Sequence, residues 1–206
     1  MTEIKTIVVD LGGVYFTRGS YLAIEKLADI YDIEDRERVW KFFSDRFNQE
    51  GQEIRLGLIS MDEFEESFIK KFGIEEQTKE HIRNIWFGSY VPHYGIEDLI
   101  KKLRKNYRLV IFSGNIKERV KFLDKRYNFL QNFHDKVFSF EYKINKKDVE
   151  FYKELIKHLN CKPSEAILID DVKKNIECAK SLGLHAIQYY YSEYLIEQLK
   201  DYDVLI

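Results

Sequence analysis

The segment Ile7-Val8-Val9-Asp10-Leu11-Gly12-Gly13-Val14 constrains the fold more than any other stretch of this chain. A short β-branched run ends in a carboxylate and passes at once into a glycine turn. Such a run suits a buried strand, and a parallel strand stopped this way delivers its last side chain to the carboxyl edge of a sheet. Further apolar runs recur at 109–112, 136–138, 166–169 and 185–188. Helical patterns alternate with them at 96–105, 117–125, 149–159 and 175–182, and Gly183 stands where a C-capping glycine would precede the next strand. Strand and helix alternating at this pitch predict an α/β fold, a Rossmann-like three-layer α/β/α parallel sheet.

Residues 18–90 break the alternation. They hold four helical stretches, 21–31, 35–49, 60–72 and 75–88, and no strand pattern. Ser60-Met61-Asp62-Glu63 reads as a capping box opening the third. Aromatic side chains are dense here, including Trp40, Phe43, Phe64, Phe68 and Trp86, and predict a helical core. An all-helical insertion after the first strand is the layout of a cap over a site. The expected division is an α/β core of residues 1–17 and 91–206 with an α-helical cap of 18–90, Val91-Pro92 marking the return.

A length of 206 residues suits a core domain with a small insertion. The formal net charge of −2 gives no reason to expect nucleic acid or an anionic membrane as partner. Cys161 and Cys178 form neither a ligand pair nor a disulfide framework, and the five histidines are scattered with no pair at metal-ligand spacing. No apolar stretch approaches the roughly 20 residues that span a bilayer. Glu3 and Lys5 lead straight into a strand rather than a signal peptide, so a cytoplasmic protein is expected.

Asp10, Ser113 and the pair Asp170-Asp171 each follow an apolar run directly. In a parallel sheet those ends share one edge, so these side chains converge. Lys146 lies in a loop between a strand and a helix, which brings it to the same edge. Two adjacent carboxylates after a buried strand repel one another unless a cation compensates them. Asp10 before Gly-Gly also suits a plain turn, and Ser113-Gly114-Asn115 also reads as a helix-capping turn.

Taken together these segments resemble the haloacid dehalogenase superfamily, most of whose members are phosphatases. The matching parts are Val9-Asp10-Leu11-Gly12-Gly13-Val14, Val110-Ile111-Phe112-Ser113-Gly114-Asn115, Lys146 before a helix, and Ile167-Leu168-Ile169-Asp170-Asp171 with Asn175, Ala179 and Gly183 following. They span the core from residue 7 to 183. The family commonly follows its lysine with proline; here Lys147 follows, so Lys143 and Lys147 compete with Lys146 for the role.

The resemblance implies an Mg²⁺-dependent hydrolase of a small phosphorylated metabolite, a phosphomonoester such as a sugar phosphate. Asp10 would be the nucleophile that forms an aspartyl-phosphate. Mg²⁺ suits an all-oxygen site and would be held by Asp10, the backbone carbonyl of Gly12, and Asp170 or Asp171. Ser113, Gly114 and Asn115 would hold phosphate oxygens, and Lys146 would neutralise charge on the transferring group.

Gly12 departs from the family pattern, which carries a second aspartate there to protonate the leaving oxygen and activate water. General acid–base help is typically worth ~10²–10⁴-fold. A slow or selective phosphatase is therefore one expectation. A catalytically impaired relative that binds a phosphorylated ligand or partner is a second. Dehalogenases of the superfamily also lack the second aspartate and need no metal, which makes carbon–halogen hydrolysis a third, although their fourth motif does not usually offer an Asp-Asp pair.

Overall fold

The computed structural model describes residues 3–44, 46–47, 49–74 and 79–206. Its centre is a five-stranded parallel sheet in the order β3-β2-β1-β4-β5, built from β1 (Thr6–Val9), β2 (Arg108–Ser113), β3 (Asp135–Phe138), β4 (Ala166–Asp170) and β5 (His185–Gln188). All five predicted strands are present, lengthened by a residue or two at β2, β3 and β4.

Alternation along β1 divides the core between two faces. Ile7 and Val9 pack with Ile111, Ile169 and the apolar side of the inserted helices. Val8 faces the opposite way, onto Phe112, Leu168, Phe151 and Ile176. That second layer rests on α9 (Val149–His158) and α10 (Lys173–Ser181). Gly183 follows α10 with φ +85° and its N–H reaches back to the Lys180 carbonyl, as expected of a C-capping glycine.

Among the described residues, five helices lie between β1 and Val91: α1 (Gly19–Ile30), α2 (Arg36–Phe43), α3 (Glu50–Arg55), α4 (Met61–Phe72) and α5 (Lys79–Gly88). The capping box at Ser60 forms as expected, with Ser60 N–H donating to Glu63 Oε2 at 2.7 Å and Glu63 N–H to Ser60 Oγ at 3.2 Å. The stretch expected to run as one helix over 35–49 instead stops at Phe43, and the separate α3 was not foreseen. Gly51 accounts for the packing of α3. A Cβ there would stand 2.5 Å from the Phe43 carbonyl carbon, so only glycine lets α3 press against the end of α2. A glycine, poor in helix propensity, is what hid α3 from a reading by pattern. Asp45, Asn48 and residues 75–78, which the expected helices included, lie outside the described residues.

Two chain segments join the inserted helices to the sheet, and they run side by side. Phe16 bridges Pro92 in antiparallel fashion, Thr17 N–H donates to Val91 O at 2.8 Å, and His93 N–H to Tyr15 O at 2.9 Å. The turn after β1 is fixed by Gly13, at φ +92°, whose N–H donates to Phe16 O at 2.6 Å. A Cβ on Gly13 would fall 2.1 Å from Asp171 Oδ2, whereas a Cβ on Gly12 would meet nothing within 4 Å.

Two stability differences are expected from this packing. Phe43 touches the rings of Phe42, Phe64, Phe68 and Trp86 in the helical core. Phe43→Ala should cost about 3–5 kcal/mol in urea unfolding. Gly13→Ala should cost at least ~1 kcal/mol through backbone strain alone, with displacement of Asp171 added. Gly12→Ala should stay within ~0.5 kcal/mol, and a similar loss at both glycines would contradict the geometry.

Candidate active site

Register alone assembles the centre of the site. Val9 is level with Ile111 on one neighbouring strand and Ile169 on the other, so the next residues, Asp10, Phe112 and Asp170, stand level across three strands. The order of the strands turns back at β1, with β2 on one side and β4 on the other, which is where open α/β sheets leave a crevice. Lys146 drops its ammonium onto that row. Nζ lies 2.9 Å from Asp10 Oδ2, 2.7 Å from Asp170 Oδ2 and 2.9 Å from the Phe112 carbonyl oxygen. Of the three lysines weighed for this position, Lys146 makes these contacts, and Lys147 also lines the cleft.

Asp10, Asp170 and Asp171 each place a carboxylate oxygen within 4.8 Å of the others. Asp170 is fully buried and held on several sides. Its Oδ1 accepts from Val172 N–H at 2.8 Å, and Asn175 Nδ2 donates to both oxygens at 3.0 and 3.1 Å. Asn175 thus orients one of the acids. Asp171 faces the cleft and accepts from Arg18 Nε at 2.6 Å, and Arg18 Nη2 also contacts it.

The electrostatics follow from burial. Loss of water pushes the Asp10 carboxyl up to about 7; Lys146 opposes the rise, and Asp170 and Asp171 add to it. Burial also raises Asp171, with Asp170 contributing and Arg18 opposing. It works against the Lys146 ammonium, yet Asp10 and Asp170 hold the lysine above its ordinary value. The donor set is all oxygen and carries more negative charge than Lys146 and Arg18 return, which fits a hard divalent cation.

The expected phosphate-binding segment is only partly turned toward the cleft. Ser113 and Gly114 line it beside Asp10, Gly12 and Lys146, in a hollow of about 260 Å³. Asn115 does not. It is buried, and its Oδ1 accepts from Ile116 N–H at 2.9 Å and from Arg119 Nε at 2.8 Å. The capping role read for this segment is also absent, because α7 (Lys117–Tyr127) starts from Ile116 with no side-chain cap. Tyr15 and Phe16 are buried against Phe129.

What the sequence reading missed is a set of cations on the far wall. Arg46, Arg55 and Arg119 line the same hollow, together with Tyr90. Arg119 Nη1 donates to Tyr90 OH at 2.8 Å, Tyr90 OH shares a 2.7 Å hydrogen bond with Ser20 Oγ, and Trp86 Nε1 donates to Ser20 Oγ at 2.8 Å. A polar chain therefore runs from the inserted helices to Asn115. The one available signal was Arg119 itself, an arginine on the apolar side of α7 beside Val120 and Leu123.

The family of haloacid dehalogenase-like hydrolases matches residues 20–189 of the chain. An uncharacterized protein of Dictyostelium discoideum is 29% identical over 166 residues, covering 78% of this chain and 69% of that protein. The chloroplastic flavin mononucleotide hydrolase 1 of Arabidopsis thaliana is 36% identical over 56 residues, covering 27% of this chain and 23% of that protein. Among solved structures, a haloacid dehalogenase family enzyme of Bacteroides thetaiotaomicron, in complex with magnesium and inorganic phosphate, superposes with a TM-score of 0.78 at 24% identity, covering 92% of this chain and 96% of that one. An L-2-haloacid dehalogenase from Xanthobacter autotrophicus superposes with a TM-score of 0.67 at 13% identity, covering 98% and 85%. These structural likenesses share the fold. No helix among the described residues is long and apolar enough to cross a membrane. With a family match over most of its length and the parallel sheet that the family is built on, the chain belongs to the haloacid dehalogenase-like hydrolases.

Proposed function

We propose that the protein is an Mg²⁺-dependent phosphatase acting on a small phosphorylated metabolite, with Asp10 as nucleophile and the inserted helices as a cap over the site. The observation that carries this reading is the level row of Asp10, Asp170 and Lys146, closed by Asp171 into a three-carboxylate cluster. Such a cluster has little structural reason to exist without a cation. The fold shared with an enzyme solved with magnesium and inorganic phosphate supports the same chemistry.

Asp10, the carboxylates of Asp170 and Asp171 and the backbone carbonyl of Gly12 would hold the ion. Bound there, Mg²⁺ supplies positive charge between carboxylate and phosphoryl oxygens that would otherwise repel. Lys146 favours the ionised form of Asp10 against the effect of burial and holds it in place, and its charge lies where negative charge gathers during transfer. Ser113 and the Gly114 N–H offer donors to phosphoryl oxygens. An Asp10 carboxylate oxygen bonds to phosphorus as the bond from phosphorus to the leaving oxygen breaks, and the alkoxide takes a proton. Water then cleaves the acyl phosphate, which returns the carboxylate and releases phosphate. Gly12 offers no group for either proton transfer, so the leaving oxygen takes its proton from another donor or from water, and turnover is slow on poor leaving groups.

Turnover of p-nitrophenyl phosphate and sugar phosphates should require Mg²⁺, stop with EDTA, and vanish in Asp10→Asn; unchanged turnover in that variant would remove Asp10 from the mechanism. Halide release from a 2-haloacid with EDTA present would instead establish the dehalogenase. Because Asp10 in the metal-free protein titrates near 7, its proton must leave before a cation binds. Mg²⁺ affinity in calorimetry should therefore weaken about tenfold per pH unit below ~7 and level off above it. Gly12→Asp adds a carboxylate into open space on ordinary backbone. It should raise kcat by up to ~10²-fold, most for substrates with poor leaving groups; no gain on any substrate would show that proton transfer does not limit the rate.

A further inference from the structure

Resting on the phosphatase reading above, we propose that the substrate bears a second anionic group, a carboxylate or a second phosphate on a short backbone, which Arg46, Arg55 and Arg119 bind. Three carboxylates at the sheet edge are met by Lys146 and Arg18 in direct contact, and a divalent cation would leave one positive charge over. A phosphoryl dianion at Asp10 is thereby balanced to within a single charge. Arg46, Arg55 and Arg119 turn that one negative charge into a surplus of two positive ones, and among the described residues none of them pairs with a carboxylate.

Arg119 is the most telling of the three. It is 3% exposed, yet its hydrogen bonds go to neutral acceptors, Asn115 Oδ1 and Tyr90 OH. Its guanidinium and that of Arg55 each stand 5.6 Å from the ring centroid of Trp86. Burial, with Arg55 adding, lowers the Arg119 pKa to about 10. Holding the Arg119 guanidinium away from water, with that of the half-buried Arg55 against the same ring, is unfavourable until an anion joins them. The planar fork of arginine matches both carboxylate and phosphate oxygens.

Placement sets the length of the ligand. Arg46 and Arg55 line both the cleft at Asp10 and a second hollow of about 140 Å³ among the inserted helices, so they stand at the throat between the two. Arg119 lines the cleft at Asp10 but not the second hollow, which places that arginine toward the phosphoryl end. A cleft of about 260 Å³ is smaller than the roughly 300–1,000 Å³ of typical small-molecule sites, so the spacer between the anions is short.

The test compares phosphonates of matched length in the presence of Mg²⁺ by calorimetry: propylphosphonate, 3-phosphonopropionate and propane-1,3-bisphosphonate. At least one of the two doubly anionic compounds should bind about tenfold or more tighter than propylphosphonate, the increment expected of charge-assisted hydrogen bonds. Which one does so identifies the second group as carboxylate or phosphate. Arg46→Gln, whose side chain supports no ion pair among the described residues, should shrink the preference at least about threefold. Arg55 also donates to the Phe43 carbonyl at 2.8 Å, so Arg55→Lys, keeping the charge, accompanies Arg55→Gln as a control for folding. Equal affinity for all three compounds, or binding of none, overturns the proposal, as does a preference untouched in Arg46→Gln and Arg55→Gln. Phosphatase turnover without the preference leaves the proposed hydrolase standing and removes the second anion. The preference without turnover on any phosphomonoester does the reverse.

Discussion

The contact on which the site depends is the ammonium of Lys146 between two carboxylates from neighbouring strands. Asp10 and Asp170 are level because β1 pairs in register with β4, and side by side they would repel strongly in a site with little water. Lys146 makes that register tolerable. Removing one member of such a buried ionic group typically costs about 3–5 kcal/mol, because the remaining charges are left uncompensated. The lysine is itself placed by the loop between the short helix Ser139–Tyr142, which follows β3, and α9, beside Gly114. Three strands and a loop are thus tied to one nitrogen.

The sheet edge was legible in the sequence because its logic is local. An apolar run ending in Asp10, Ser113 or Asp170 predicts its own end point, and parallel pairing then makes the end points neighbours. The opposite wall was not legible, because Arg55 and Arg119 reach the cleft only through helix packing. Nothing in Glu53-Ile54-Arg55 distinguishes that arginine from a solvated one until Gly51 lets α3 close on Phe43. Asn115 shows the reverse case. Its place in a polar turn suggested a ligand contact, but a buried guanidinium four residues on captured its oxygen.

Family membership fixes less chemistry than it does architecture. One fold joins this chain to an enzyme solved with magnesium and phosphate and to a haloacid dehalogenase, so the reaction must be argued from side chains. Here those side chains form two opposed fields across a small cleft. The sheet side is acidic and fit for a cation. The helical side is cationic and fit for an anion. On the proposed reading, a ligand that satisfies both is charged at more than its phosphoryl end.

The open space around Gly12 also bears on how such a protein can change over generations. A glycine codon is one base away from an acidic one, and at this position neither the backbone nor any neighbouring atom stands in the way of the larger side chain. On the proposed mechanism, the proton-transfer group is therefore separable from the fold, from the cation site and from ligand capture. A lineage carrying this turn would then lose or regain speed without rebuilding its core. Gly13, one residue along, has no such freedom, because Asp171 already occupies the space.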